Sequence, residues 1–144
     1  MTQTITKTYS NLKAAHRQWR HKGHCHYVHG ENWTFHITFA ANELDERGFI
    51  VDFGELKGLK EQMDKAFDHV LLIDHDDPEL EFFEQMHIKE LTDLRIVPSA
   101  SAEGLCNFVF SMADQYIKDL TDRRVWVEKV VTEEDSKNIA TLSK

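Results

Sequence analysis

Residues 27–44, YVHGENWTFHITFAANEL, alternate between polar and apolar side chains over most of their length. Successive side chains of a β-strand point to opposite faces of the sheet, so every second residue lies on the same face. The alternation therefore predicts one long strand. A single face of this strand would carry Tyr27, His29, Glu31, Trp33, Phe35, Ile37 and Phe39.

The flanking sequence predicts further strands and two long helices. Residues 3–16, QTITKTYSNLKAAH, also alternate and predict a first strand, antiparallel to the long one and joined to it by a polar loop at 17–26. Apolar residues at helical spacing predict a helix over 51–67 with Asp52 as its N-cap and another over 101–120 with Ser101 as its N-cap. The helices would bury Phe53, Leu56, Leu59, Met63 and Phe67 in the first, and Leu105, Phe108, Val109, Met112, Tyr116 and Leu120 in the second. The remaining predictions are a turn at 45–48, an irregular, partly extended segment at 68–77, a short helix at 78–87, and strands at 94–97 and 123–134.

This order of elements predicts one α+β domain over residues 1–144, with a small antiparallel sheet covered by helices on one face.

The net charge of −8 and the lack of a Lys/Arg stripe argue against nucleic acid as a partner. No apolar run approaches the ~20 residues that span a bilayer, and the first residues lack the apolar core of a signal peptide. We therefore expect a soluble, cytoplasmic protein that does not bind membranes, with Cys25 and Cys106 reduced.

Histidines are concentrated near the start of the long strand, and five of the nine lie within residues 16–29. His29 and Glu31 share a face of the strand, and His16 ends the neighbouring strand, where antiparallel pairing can bring it alongside. Two histidines and a glutamate with one open position form a known catalytic zinc set. Taken alone, however, a His-x-Glu pair is more often an exposed histidine beside a surface carboxylate.

The two cysteines differ in their surroundings. Cys25 lies four residues before His29 in a polar, histidine-flanked stretch. It can be a metal ligand, a nucleophile or a proton carrier whose pKa is lowered by a nearby cation. Most free cysteines are instead small buried hydrophobic residues. Cys106 fits that description, because it lies within an amphipathic helix.

Several short motifs occur in a specific order along nearly the whole chain. They are AAH at 14–16, CHYVHG at 25–30, GFIVDFGELK at 48–57, FDHVLL at 67–72 and SAEGL at 101–105. In this ordered set the chain resembles the 6-pyruvoyltetrahydropterin synthase / 6-carboxytetrahydropterin synthase family. The resemblance implies a tunnelling fold, with a four-stranded antiparallel sheet and two helices on one face. Such chains form trimeric barrels that pair into hexamers, with active sites between subunits.

The resemblance also implies a metal centre that acts on a reduced-pterin precursor. The family holds zinc with three histidines, and its catalytic residues would correspond to Cys25 as general acid/base and to Asp68 and His69 as a proton relay. Glu103 would anchor the pterin, together with a late glutamate that is either Glu133 or Glu134, of which we assign Glu134.

This chain departs from the family pattern at Glu31, where the family has a third histidine. We therefore expect the metal to be held by His16, His29 and Glu31, with His24 or His26 as alternatives; His36 would lie on the opposite face. A carboxylate ligand makes zinc a weaker Lewis acid and relatively favours manganese or iron, so Zn²⁺ is expected but another divalent metal is open.

The implied activity is that of a lyase. It would convert dihydroneopterin triphosphate to 6-carboxy-5,6,7,8-tetrahydropterin, on the route to deazaguanine-type modified bases. The alternatives are formation of 6-pyruvoyltetrahydropterin, or a non-catalytic pterin- or purine-binding protein whose metal site has decayed at Glu31.

Overall fold

A computed structural model describes all 144 residues and contains one mixed sheet with three α-helices. None of the helices is both long and apolar enough to cross a bilayer. Short 3-10 turns occupy His24–His26 and Phe53–Leu56. The elements are β1 (Gln3–His16), β2 (His29–Ala41), α1 (Lys57–Phe67), β3 (Val70–Asp74), α2 (Leu80–Ile88), β4 (Leu94–Val97), α3 (Ala102–Leu120), β5 (Val125–Glu134) and β6 (Asn138–Ser143). The order of the strands in the sheet is β4-β3-β1-β2-β5-β6.

The α+β class is confirmed, but the prediction of a four-stranded antiparallel sheet is wrong. The sheet has six strands, and β3 pairs in parallel with both β1 and β4. The segment predicted to be irregular contains β3, whose sequence VLLID is a continuous apolar run without alternation. Such runs are typical of parallel strands that are buried on both faces. β6 follows the last predicted strand and pairs antiparallel with β5.

The helices lie on both faces of the sheet, which corrects the prediction that one face carries them all. The main core includes buried residues of α1 and α3 together with Val70 and Leu72 of β3. Leu71 and Ile73 of the same strand instead form a second cluster with Phe83 of α2. Since successive residues of a strand point to opposite faces, α2 covers the face opposite to α1 and α3.

Both predicted helix caps are present. The Asp52 carboxylate accepts a hydrogen bond from the Gly54 amide, and the Ser101 hydroxyl accepts one from the Gly104 amide. The first turn after Asp52 is a 3-10 turn, and Phe53 is half exposed rather than part of the buried stripe. The buried stripe of α3 also differs from the prediction: it consists of Ala102, Leu105, Cys106, Val109, Ala113 and Ile117.

An irregularity in β1 decides which way His16 points. The pairing of β1 with β2 shifts register between Tyr9 and Leu12, and Asn11 in this bulge has a φ of 60°. One extra residue in β1 reverses which residues face the core beyond the bulge. Leu12 and every second residue after it therefore point to the buried face of the sheet, as Tyr9 does before the bulge. As a result, His16 faces the interior as the register partner of His29.

Candidate active site

Four side chains meet where β1, β2 and β5 lie side by side. Ligand atoms of His16, His29, Glu31 and Glu134 all lie within 4.8 Å of one another. The His16 Nε2 atom is 3.6 Å from Glu134 Oε1 and 3.9 Å from Glu31 Oε1, and His29 Nε2 is 3.3 Å from Glu31 Oε1. The structure thus brings together the three residues predicted to hold a metal and adds Glu134, which was predicted to bind substrate.

Backbone carbonyls fix the orientation of both imidazoles. His16 Nδ1 lies 2.6 Å from the Ala100 oxygen, and His29 Nδ1 lies 2.7 Å from the Tyr27 oxygen. A carbonyl oxygen only accepts hydrogen bonds, so each Nδ1 carries a proton, and in the neutral imidazole each Nε2 presents a lone pair to the cluster. Ala100 is held in turn, because its amide donates to the Asp74 carboxylate at 2.7 Å.

The cluster is buried and rich in acceptors. His16 is completely buried, and its Nε2 atom and the Glu31 Oε2 atom have no hydrogen-bond partner. Burial, followed by the nearby carboxylates of Asp135 and Glu134, raises the pKa of Glu31 to about 8. Burial is also the main cause that lowers the pKa of His16. Two lone pairs and two carboxylates that converge in this way fit a divalent cation, which would supply the missing positive charge.

A cleft of about 750 Å³ opens beside the cluster, between the first turns of α3, the edge strand β6 and the loop that joins β1 to β2. Cys25, Glu103 and Glu134 line it, together with Lys137. Cys25 is half buried on the His24–His26 turn, and Glu103 is exposed on the first turn of α3. The cleft therefore contains the thiol predicted to carry protons and the carboxylates predicted to bind the pterin.

The predicted proton relay lies elsewhere on the chain. Asp68 Oδ1 and His69 Nδ1 are 3.0 Å apart, and the left-handed backbone of His69, with φ of 58°, turns these adjacent side chains toward each other. Their contact required an irregular backbone, since neighbours on a regular strand point apart. The His69 side chain is 79% exposed, however, and neither residue lines the cleft. A single chain does not bring this pair to Cys25.

The structure also separates the two late glutamates. Glu133 Oε2 lies 2.5 Å from His36 Nε2. This contact is on the opposite face of the sheet from the cluster, as the alternation of side chains along the strand predicted for His36. Glu134 lies in both the cluster and the cleft, whereas Glu133 lies in neither. His24 and His26, the alternative ligands, are not part of the cluster.

Sequence reasoning missed the ion pair that anchors the Cys25 turn. The Arg17 guanidinium donates two hydrogen bonds of 2.7 Å to Asp77, whose side chain is completely buried, and its third nitrogen lies 3.4 Å from the His26 oxygen. Next to this ion pair, the backbone amide of Gln18 donates a hydrogen bond of 2.8 Å to the backbone oxygen of Cys25. Arg17 and Asp77 are 60 positions apart, and no local pattern in the sequence indicates that they pair.

We predict that Asp77→Ala lowers the free energy of unfolding by about 3 kcal/mol, because it leaves the Arg17 guanidinium, which is only 15% exposed, without its carboxylate partner. Urea denaturation of both proteins measures this difference. Asp76→Ala is the matched control: it removes the neighbouring pair with Arg20, which is exposed, and should change stability little. Equal effects of the two substitutions would contradict the structural role of Asp77.

A family model described as 6-pyruvoyl tetrahydropterin synthase matches residues 4–144. A 6-carboxy-5,6,7,8-tetrahydropterin synthase from Rickettsia typhi is 43% identical over 71 residues, which is 49% of this chain and 51% of that protein. The protein of the same name from Bacillus subtilis is 47% identical over 55 residues, 38% of this chain and 36% of that protein. This chain thus spans about half the length, or less, of the curated relatives that it matches.

Two solved structures share the fold. An uncharacterized Wolinella succinogenes protein superposes with a TM-score of 0.85 at 21% identity, covering 100% of this chain and 99% of that one. A catalytic-residue mutant of Plasmodium vivax 6-pyruvoyltetrahydropterin synthase gives a TM-score of 0.69 at 17% identity, with 99% and 98% covered. At these identities the likeness concerns the fold alone.

Proposed function

The chain belongs to the 6-pyruvoyl tetrahydropterin synthase family, and on that basis we propose that it converts dihydroneopterin triphosphate to 6-carboxy-5,6,7,8-tetrahydropterin. The names of the curated relatives support this product. One structural observation carries the proposal: a single cleft combines the Cys25 thiol, the Glu103 carboxylate and a cluster that fits a divalent metal.

The residues that would hold the metal are His16, His29 and Glu31. When bound, the ion would polarise a substrate hydroxyl or carbonyl and stabilise the negative charge that develops when a proton leaves. Both histidines already present Nε2, since their Nδ1 atoms donate to carbonyl oxygens. Zinc is the expected ion, and the oxygen ligand of Glu31 relatively favours manganese or iron.

Two residues of the cleft would supply proton transfer and binding of the pterin ring. Cys25 takes and returns protons, because its half-buried thiol lies in the cleft where the substrate would bind. Glu103 accepts two N–H hydrogen bonds from the 2-amino-4-oxo edge of the pterin ring, a bidentate arrangement that fixes the ring in the cleft.

Asp68 and His69 act from a neighbouring subunit in this proposal. Their contact is formed within one chain, but the His69 side chain is exposed, Asp68 is partly exposed, and both lie outside the chain's own cleft. A pair that is already assembled and exposed is suited to complete a site on another copy.

Product identification by mass spectrometry tests the function. Protein loaded with metal is incubated with dihydroneopterin triphosphate, and 6-carboxytetrahydropterin is the expected product. A 6-pyruvoyl product would favour the other reaction of the family. Binding of the pterin without any turnover would favour a non-catalytic role.

We predict that the protein assembles into hexamers, or at least trimers. The edges of the sheet at β4 and β6 have no partner strand within the chain, and unpaired edges are normally covered or paired. Light scattering should give about 100 kDa for a hexamer of this 16.8 kDa chain. A stable monomer at micromolar concentration would contradict both the assembly and the shared active site.

A further inference from the structure

We propose that Glu134 is the fourth ligand of the metal centre and that it must release the metal before a substrate hydroxyl can bind. The first half concerns only this chain and a divalent cation. The second half rests on the proposed function.

The distances to His16 support Glu134 as a ligand at least as well as Glu31, although Glu31 is also 3.3 Å from His29 Nε2. Ligand atoms at about 2.0–2.1 Å from a tetrahedral zinc ion lie about 3.3–3.5 Å from one another. Glu134 Oε1 is 3.6 Å from His16 Nε2, whereas Glu31 Oε1 is 3.9 Å from the same atom. All four ligand atoms lie within 4.8 Å of one another, so small side-chain movements would bring them around one ion.

The hydrogen-bond pattern provides independent support. The lone pair of His16 Nε2 is completely buried, has no donor, and faces oxygens of Glu31 and Glu134. Acceptors that face one another without a proton or a cation between them are unfavourable in a buried site. A divalent ion bound to both carboxylates and both imidazoles satisfies every one of these atoms and leaves the centre without net charge.

A set of four protein ligands is the arrangement of structural zinc sites, whereas catalytic sites keep one position open. One ligand must therefore be able to leave. Both histidines are fixed by backbone carbonyls. Of the four residues, Glu134 alone also lines the cleft, at the end of β5. A substrate that enters the cleft meets Glu134 before any other ligand, so Glu134 is the residue that exchanges with it.

The ligand role is tested without substrate. Chelator competition with Zn²⁺ should show that Glu134→Gln lowers metal affinity about tenfold or more, while the control Glu133→Gln, on the opposite face, leaves it unchanged. Thermal melting of the metal-free proteins establishes that both variants fold. Unchanged affinity in folded Glu134→Gln would overturn the proposal. This result does not depend on whether the protein is a lyase.

The exchange is tested with Co²⁺ in place of zinc and with biopterin, whose side chain carries two hydroxyls, as the probe. Biopterin should alter the visible spectrum of the Co²⁺ protein, and the spectrum of metal-loaded Glu134→Gln without biopterin should already differ from that of the wild type. A biopterin-induced change of equal size in Glu134→Gln and wild type, from the same starting spectrum, would show that Glu134 does not exchange.

Discussion

Replacing Cys25 with alanine is expected to abolish turnover of dihydroneopterin triphosphate, a loss of at least ~100-fold, while metal content and fold stay intact. The thiol lies in the cleft, half buried, on a turn that is anchored by Gln18 and Arg17. It is not among the four side chains that converge as candidate ligands. Its removal should therefore eliminate a proton carrier without opening the metal centre.

Cys106→Ala is the matched control for this prediction. Cys106 is buried within α3, where burial raises the pKa of its thiol and its Sγ atom lies 2.9 Å from the Thr132 hydroxyl. We expect near-normal turnover and the modest loss of stability that a small packing defect causes. Steady-state kinetics and elemental analysis of both variants make the comparison. Loss of metal in Cys25→Ala would instead identify the thiolate as a ligand.

The sequence predicted that His29 and Glu31 lie side by side because the alternation of side chains along a strand is a strict rule. His29 and Glu31 share a face whatever the rest of the fold does. His16 was expected beside them from its position at the end of the first strand, and this is confirmed. The bulge at Asn11 was not foreseen. Without it, strict alternation from Tyr9 would have turned His16 away from the cluster.

Elements that lack a clear period were the ones that the sequence did not predict correctly. β3 is buried on both faces and therefore shows no alternation, while β6 is a short edge strand with mostly exposed side chains. In α3 the largest apolar residues suggested the wrong stripe. Phe108, Met112 and Tyr116 are only partly buried, whereas Ala113 and Cys106 face the sheet. Small side chains on the inner face let a helix approach a sheet closely. A prediction based on hydrophobicity alone therefore does not show that small residues are preferred on that face.

Contacts between distant parts of the chain account for the remaining differences. Pairing of Arg17 with Asp77 and the convergence of Glu134 on His16 depend on the order of strands in the sheet. The sequence leaves this order open, because β3 and β6 were not predicted as strands. The Asp68–His69 contact was predicted conditionally, and the left-handed residue His69 meets the condition.

Replacing Glu31 should have the largest effect on metal binding, because this residue breaks the three-histidine pattern. Its carboxylate lies 3.3 Å from His29 Nε2, its side chain is 10% exposed, and its Oε2 atom has no partner. We expect Glu31→Ala to cut metal occupancy sharply, by more than the ~10–100-fold in affinity that loss of an outer-shell partner costs. Glu31→His should retain or raise zinc affinity, since it restores the family's ligand set.

Elemental analysis of the purified proteins, with chelator titration for affinity, measures both outcomes. Glu133→Ala is the matched control, because Glu133 lies on the opposite face of the sheet with His36 and should leave metal content unchanged. Equal metal content in wild type and Glu31→Ala would remove Glu31 from the ligand set and leave His16, His29 and Glu134 as the centre. Absence of metal from wild type and from both Glu31 variants would favour a decayed site over the enzyme. A rise in zinc affinity in Glu31→His together with loss in Glu31→Ala would show that this position is a ligand position whichever side chain occupies it.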